Sequence, residues 1–275
     1  MDIYQRISHL YESWTAEKQI IGKSFLGRNI YAVKIGYGRP MGIVQYAIHG
    51  REYITARLAE THAALGIDMG SCWLIPLTNP DGALLSSRGI SSVIEKKQQE
   101  RLIALNANSK DFSLWKANAR GVDLNVNFDA DWGCGTKNVR SAGAENYIGS
   151  HPFSERETAA LRDFTLRLKP DYTLSYHTKG EEIYWRFHQP TRTCLRDKTL
   201  AGVISQATGY PLCEAQGSAG GYKDWCIQRL GIPAFTVEVG ADTLAHPIRE
   251  EGLENILLKN GETLQKLSAA CSAIL

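Results

Sequence analysis

Apolar positions along this chain alternate between helical spacing and strand spacing. Ile3, Ile7, Leu10, Tyr11 and Trp14 recur every three or four residues with Asp2, Gln5, Arg6 and Glu12 outward, which predicts a short amphipathic helix. Gln19 to Phe25 and Asn29 to Ile35 are β-rich and flank Leu26-Gly27-Arg28, the pattern of a hairpin. Gly36, Gly38 and Pro40 interrupt the pattern before an apolar strand, Ile43 to Ile48. Tyr53 to Leu65 then reads as a helix and Cys72 to Leu77 as a strand, so this part predicts a parallel βαβ unit.

Thr78-Asn79-Pro80-Asp81-Gly82 has the composition of a turn, and residues 83–112 form a polar excursion with a helix near Val93 to Leu105. Residues 115–128 pack charged and amide groups together with no amphipathic period, a density that suits a site better than a solvated face. Ser154-Glu155-Arg156-Glu157 reads as a capping box opening a helix through Leu168. Strands are predicted at Tyr172 to His177, Glu182 to Phe187 and Pro233 to Val239. Helices are predicted at Leu195 to Thr208, after the Gly220-Gly221 turn, and at Leu253 to Ala273. There is no internal repeat, and the alternation predicts an α/β domain over residues 1–275.

Formal net charge is +2, and the basic residues are dispersed rather than gathered into a nucleic-acid or membrane footprint. No stretch has the roughly 18 consecutive apolar residues that a spanning helix needs. The expectation is therefore a protein with no nucleic-acid or membrane partner. The N-terminus lacks the apolar core of an export signal, so a cytoplasmic location is expected, a sporulation compartment being the other option. Six cysteines lie far apart with no Cys-x-x-Cys pair and read as reduced thiols.

Chemistry enters with Ile48-His49-Gly50-Arg51-Glu52, where an imidazole leaves a strand end and a carboxylate follows in the first turn of the next helix. Alone, His-x-x-Glu is a common pairing. A second strand ends on His177, and the three side chains make a His2Glu set, the ligands of hydrolytic zinc with a fourth position open to water. Glu238, also near a strand end, is the candidate general base.

Several ordered motifs extend this picture: Gly22-Lys23-Ser24-x-x-Gly27-Arg28, His49-x-x-Glu52, Asn79-Pro80-Asp81-Gly82 and Gly121-Val122-Asp123-Leu124-Asn125. Pro152-Phe153-Ser154-Glu155, the strand ending in His177, Gly220-Gly221-x-x-Asp224-Trp225 and Phe235-Thr236-Val237-Glu238 follow. Together they resemble the zinc metallocarboxypeptidase family over nearly the whole chain. The resemblance implies a single three-layer catalytic domain, a central mixed, mostly parallel twisted sheet flanked by helices; no wall-binding repeats are expected, since the sequence shows none. It implies one Zn2+ per chain on His49, Glu52 and His177, with Glu238 as base and Asp123 fixing the tautomer of His49.

Departures from the family pattern narrow the substrate. Val126 stands where the family carries an arginine that grips a free C-terminal carboxylate, and valine forms no such bidentate pair. Lys116, after Trp115, occupies the place of the family's oxyanion-stabilising arginine, with Arg120 as rival. Counting back from Gly220, Gln216 falls where a mobile tyrosine is expected.

Residues 115–125 and Ser175-Tyr176-His177-x-x-Gly180-Glu181-x-Ile183-Tyr184-Trp185 resemble the bacterial γ-D-glutamyl-diamino acid endopeptidases, which cut between D-glutamate and meso-diaminopimelate or lysine in peptidoglycan peptides. That implies a muropeptide partner, with Arg51 and Asn125 as candidate holders of substrate carboxylates beside Val126. The other readings are a carboxypeptidase or amide deacylase of the same fold and, last, a non-catalytic zinc or peptide-binding module. Oligomeric state is left open.

Overall fold

The computed structural model describes residues 1–214 and 217–274, so Gln216 lies outside the described residues. Helix α1 (Ile3–Ser13) is capped by Asp2, whose carboxylate accepts the Gln5 amide at 2.8 Å. β1 (Lys18–Lys23) and β2 (Asn29–Gly36) form the expected antiparallel hairpin. β3 (Met41–Tyr46), α2 (Thr55–Leu65) and β4 (Ser71–Ile75) make the parallel βαβ unit.

Helix α3 (Pro80–Arg88) was not expected. Asn79-Pro80-Asp81-Gly82 is its start rather than a free turn: Asn79 Oδ1 accepts the Gly82 amide at 2.9 Å, and Pro80 fills the first helical position, where no N–H is needed. α4 (Lys96–Leu105) follows, and residues 106–155 have no further α-helix or strand.

α5 (Arg156–Leu168) begins after Glu155 without a side-chain cap, which corrects the capping-box reading. Ser154 Oγ donates to Glu155 Oε1 at 2.8 Å, and Glu157 is committed to the Phe25 amide at 3.1 Å, so neither serves the helix start. β5 (Tyr172–His177), a shortened β6 (Glu182–Tyr184), α6 (Thr191–Thr208) and an unexpected two-residue β7 (Leu212–Cys213) come next. α7 (Tyr222–Leu230) leads into β8 (Ala234–Glu238).

The expected C-terminal helix is two helices, α8 (Leu253–Asn260) and α9 (Thr263–Ile274). The break has a cause in the core. The Asn260 carbonyl accepts from His62 Nε2 at 3.0 Å, and its side-chain amide donates to Tyr210 Oη at 3.1 Å, so it serves tertiary partners.

The strands form one sheet in the order β1-β2-β4-β3-β5-β8-β6-β7. Pairings inside β4-β3-β5-β8 are parallel, and the rest are antiparallel except β6 with β7. On one face Val44, Tyr46, Leu174, Tyr176, Phe235 and Val237 pack on α2, α6, α8 and α9. On the other, Ile43, Trp73 and Ala234 pack on Leu161 and Phe164 of α5 and Trp225 of α7. Each such large apolar side chain contributes about 1.5–3 kcal/mol, and this two-sided burial fixes the strands that carry the site. Among the described residues no helix is long and apolar enough to cross a membrane.

Candidate metal centre and active site

Side chains alternate along a strand, so Ser175 and His177 share one face of β5, as Thr236 and Glu238 do on β8. Register pairs Ser175 with Thr236 and His177 with Glu238, which sets the imidazole and the carboxylate side by side at the carboxyl ends of adjacent parallel strands. β3 has β4 on one flank and β5 on the other, and in open α/β sheets a crevice forms where connections diverge in this way.

His49 reaches that crevice through a bent backbone. After β3 ends, Ala47 takes a left-handed φ of 48°, a conformation that costs an L-residue about 1–2 kcal/mol. Its amide donates to Thr55 Oγ1 at 2.9 Å, which helps hold the bend. Gly50 follows, and a Cβ there would lie 2.5 Å from the Gly82 carbonyl oxygen and 2.7 Å from that of Trp115. Only glycine lets the 3-10 turn Gly50–Glu52 seat between α3 and residues 115–117, bringing Glu52 back towards His49.

His49, Glu52 and His177 are buried and converge. His49 Nδ1 lies 2.9 Å from Glu52 Oε1, and His177 Nδ1 lies 3.1 Å from Glu52 Oε2 and 3.2 Å from His49 Nδ1. Tetrahedral ligands on zinc at about 2.05 Å stand roughly 3.3 Å apart, so this spacing fits the ion. Two imidazole nitrogens face each other beside one carboxylate, a donor set a cation satisfies better than protons can. The three ligand atoms leave tetrahedral zinc a fourth position.

Asp123 lies under this group, fully buried, between His49 and Lys116. Its Oδ1 is 3.2 Å from His49 Nε2, an ion-pair distance although the ring is turned out of hydrogen-bond alignment, and its Oδ2 is 2.7 Å from Lys116 Nζ. Burial pushes the Asp123 carboxyl up, but Lys116 and His49 outweigh it and hold the group well below the usual carboxylate range. Burial likewise opposes ionised Glu52, and His49 and His177 reverse it. His49 is raised: burial lowers it, and Glu52 and Asp123 prevail over that and over Lys116.

Glu238 keeps part of its surface open to a cavity of ≈ 480 Å³, and its Oε2 has no hydrogen-bond partner. Burial pushes its carboxyl up to about 7, with His177 opposing and Glu52 adding to the rise.

His49, His177, Glu238, Lys116, Asn125 and Val126 all border this cavity. Arg120 does not: its guanidinium lies 5.8 Å from the Phe25 ring and 3.7 Å from Glu155, because Asn118 Oδ1 takes the Arg120 amide and turns the residue outward. Arg51 also lies outside the lining and pairs with Glu145 at 3.2 Å. Asn125 accepts the Tyr222 amide through Oδ1 at 3.1 Å, which ties the 115–128 segment to the start of α7. The motifs quoted above contain Asp224, Tyr184 and Thr236 but gave them no site role, and they left out Lys223; all four also line the cavity. Strand parity was a usable signal for Thr236, two residues before Glu238, whereas nothing local marked Lys223.

A buried His-Glu-His cluster beside an unpartnered carboxylate, at the strand ends of a mixed α/β sheet, is the layout of a metal-dependent hydrolase. The zinc carboxypeptidase family pattern matches residues 67–257, and the chain belongs to that family of zinc metallopeptidases. His177 and Glu238 fall within the matched span, and His49 and Glu52 precede it. The γ-D-glutamyl-L-diamino acid endopeptidase 1 of Lysinibacillus sphaericus is 34% identical over 251 residues, covering 84% of this chain and 62% of that protein. The uncharacterized protein YqgT of Bacillus subtilis (strain 168) is 30% identical over 248 residues, 80% of this chain and 64% of its own. This chain thus spans under two thirds of the length of both relatives. Bovine thrombin-activatable fibrinolysis inhibitor, solved with a tick carboxypeptidase inhibitor, shares the fold at TM-score 0.77 and 19% identity, covering 100% of this chain and 98% of that one.

Proposed function

We propose that this protein hydrolyses the isopeptide bond between the γ-carboxyl of D-glutamate and the amine of a diamino acid in peptidoglycan-derived peptides. The observation that carries the reading is the cavity wall: among the described residues no arginine lines it, and Val126, which stands where the family pattern has the carboxylate-gripping arginine, is part of it. The name of the Lysinibacillus sphaericus relative supplies the bond type.

His49, Glu52 and His177 would hold a zinc ion, which when bound would lower the pKa of a water and polarise the scissile carbonyl. Glu238 takes the water proton at Oε2 and returns it to the leaving amine. Lys116 donates from Nζ to the oxygen on which charge develops, and Asp123 keeps that ammonium aimed. Asn125 and Val126 shape the wall against which the substrate lies.

The test is mass spectrometry of products from zinc-loaded protein given L-Ala-γ-D-Glu-meso-diaminopimelate, with a plain peptide ending in Phe alongside. Release of free diaminopimelate with the Phe peptide intact is expected. Cleavage of the Phe peptide alone overturns the reading in favour of a carboxypeptidase.

A further inference from the structure

His49 and Lys116 reach the metal centre from two segments that no sheet ladder joins. His49 precedes the 3-10 turn after β3, and Lys116 lies in the irregular stretch between α4 and the short turn Leu124–Val126. Between them stands Asn79, fully buried at the start of α3. Its side-chain nitrogen donates one N–H to the Ile48 carbonyl at 3.1 Å and the other to the Ala117 carbonyl at 3.2 Å. These are the residue before His49 and the residue after Lys116. The Gly50 amide completes the ring, donating to the Lys116 carbonyl at 2.9 Å.

Capping by itself does not require an asparagine. The cap of α3 needs only an acceptor for the Gly82 amide, which serine or aspartate supplies as well. Two donors and an acceptor on one short planar group are the property of the asparagine carboxamide. The space is equally exacting: a Cβ at Gly82 would lie 2.5 Å from Asn79 Nδ2 and 2.5 Å from the Ala117 carbonyl oxygen. Three segments therefore meet around one side chain, whose hydrogen bonds hold two of them together. Each bonded carbonyl is one residue away from a group of the site, so a shift here is passed on to His49 or to Lys116.

We propose that Asn79 is a positioning residue, which holds the backbone of Lys116 against the turn of His49 so that the ammonium stands beside the metal centre. The His49 turn has further ties: Thr55 Oγ1 accepts the Ala47 amide at 2.9 Å and donates to the Glu52 carbonyl at 2.9 Å. On the other side, the Lys116 and Ala117 amides both donate to the Ala144 carbonyl, which itself belongs to no α-helix or strand. Without the donors of Asn79 the Lys116 side is the one that gives way, and a displacement of about 1 Å is enough to cost roughly 100-fold in rate. This inference rests on the proposed function, in which Lys116 stabilises the oxyanion.

The experiment sets Asn79→Ser beside Lys116→Met and the double variant, all zinc-loaded. Serine keeps an acceptor for the Gly82 amide and removes both donors. Asn79→Ser should keep its zinc Kd and its KM within about threefold of wild type and lose about 100-fold in kcat on the γ-D-glutamyl peptide. Lys116→Met should lose about 10²- to 10³-fold in kcat. Adding it to Asn79→Ser should cost less than about tenfold more, since the ammonium is already out of place. Calorimetric titration with inorganic phosphate, a tetrahedral anion for the metal and Lys116 to share, runs in parallel. Each single variant should weaken phosphate binding by about tenfold, and the double variant no further.

Losses that multiply in the double variant mean that Asn79 supports the fold alone, and they overturn the inference. So does wild-type kcat in folded Asn79→Ser, or wild-type phosphate affinity in Lys116→Met. Loss of zinc from Asn79→Ser moves the effect to the ligands and overturns it too. If Asn79→Ser fails to fold, Asn79→Asp, which keeps the shape and the cap acceptor, takes its place, and unfolding of both ends the inference. Should the γ-D-glutamyl peptide not be cleaved, the proposed function falls by itself, and the phosphate titrations, which need no turnover, still decide this point.

Discussion

Around His49 and around Asp81 the chain buries two sets of ionisable side chains, and their hydrogen bonding differs in kind. In the second set, Asp81 accepts from Ser24 Oγ at 2.8 Å, the Leu26 amide at 2.8 Å and Arg28 at 2.6 Å. Glu155 accepts from Asn118 and Ser154, each at 2.8 Å, and Glu157 from the Phe25 amide at 3.1 Å. None of these side chains has an orphaned buried atom. In the first set His177 Nε2 and Glu238 Oε2 have no partner, and His49 Nε2 has only a misaligned one. The closed cluster fastens hairpin, α3, α5 and the 115–128 segment to one another. The open one faces a cavity. Burial and charge are common to both, so it is unfilled bonding capacity that separates a working site from a structural tie.

The largest effects should come from the open cluster and spare the fold. His177→Ala removes one of the three candidate ligands, and the expected result is no stoichiometric zinc and no activity. Zinc at about 1,000 times its Kd stabilises a folded protein by roughly 4 kcal/mol, and that increment should vanish from thermal melts of the variant. Glu238→Gln should keep its zinc and lose about 10²- to 10⁴-fold in kcat, the range of a general base. Zinc content by atomic absorption and turnover of the γ-D-glutamyl peptide check both. Retained turnover in Glu238→Gln would remove Glu238 from its role.

The closed cluster should answer in stability. Asp81→Ala leaves Arg28, whose side chain is only 18% exposed, without its carboxylate partner. Breaking such a pair costs about 3–5 kcal/mol, which urea unfolding would read as a lower midpoint at unchanged slope. The folded fraction should still bind one zinc. A loss below about 1 kcal/mol, or loss of zinc at intact stability, would erase the distinction between the clusters.

Legibility in the sequence follows the same division. Strand ends that deliver His177 and Glu238 were readable because apolar runs bound them, and α2 and α5 because their periodicity is long, whereas β3 stops at Tyr46 and His49 follows the bend at Ala47 rather than ending the expected strand to Ile48. The start of α3 was missed because Asn79-Pro80-Asp81-Gly82 has the same composition whether it caps a helix or turns a loop. The break at Asn260 was hidden because its cause is a carbonyl bonded to His62, 198 residues away in sequence. Lys116 took the family's arginine place by position with Arg120 as its rival, and the structure puts Lys116 at the cavity beside Asp123 and Arg120 outside it. Lys223 follows the Gly220-Gly221 turn with no local signal, and its burial is visible only once the core around it is in place.

The smallest expected effect, and the sharpest on the closed cluster, concerns Glu157. Burial, with Asp81 and Glu155 adding, pushes its carboxyl from 4.5 up to about 7. The cations near it are Arg28, paired with Asp81, Arg120, 3.7 Å from Glu155, and Arg101, which donates to the Ala119 and Arg120 carbonyls. Between those two pH values the unfolded chain has released a proton that the folded one retains, so stability falls as pH rises through this window. The gap corresponds to roughly 3 kcal/mol at most. Glu157→Gln supplies a neutral group of the same shape and removes the titration. The variant should match the wild type within about 1 kcal/mol near pH 5 and exceed it by about 1–2 kcal/mol near pH 8. His62, lowered to about 4 by burial, destabilises the fold in acid with the opposite sign. It is present in both proteins, so the difference between their urea midpoints at each pH isolates Glu157. Parallel pH profiles would mean that Glu157 is ionised in the fold and that the closed cluster carries its charge after all.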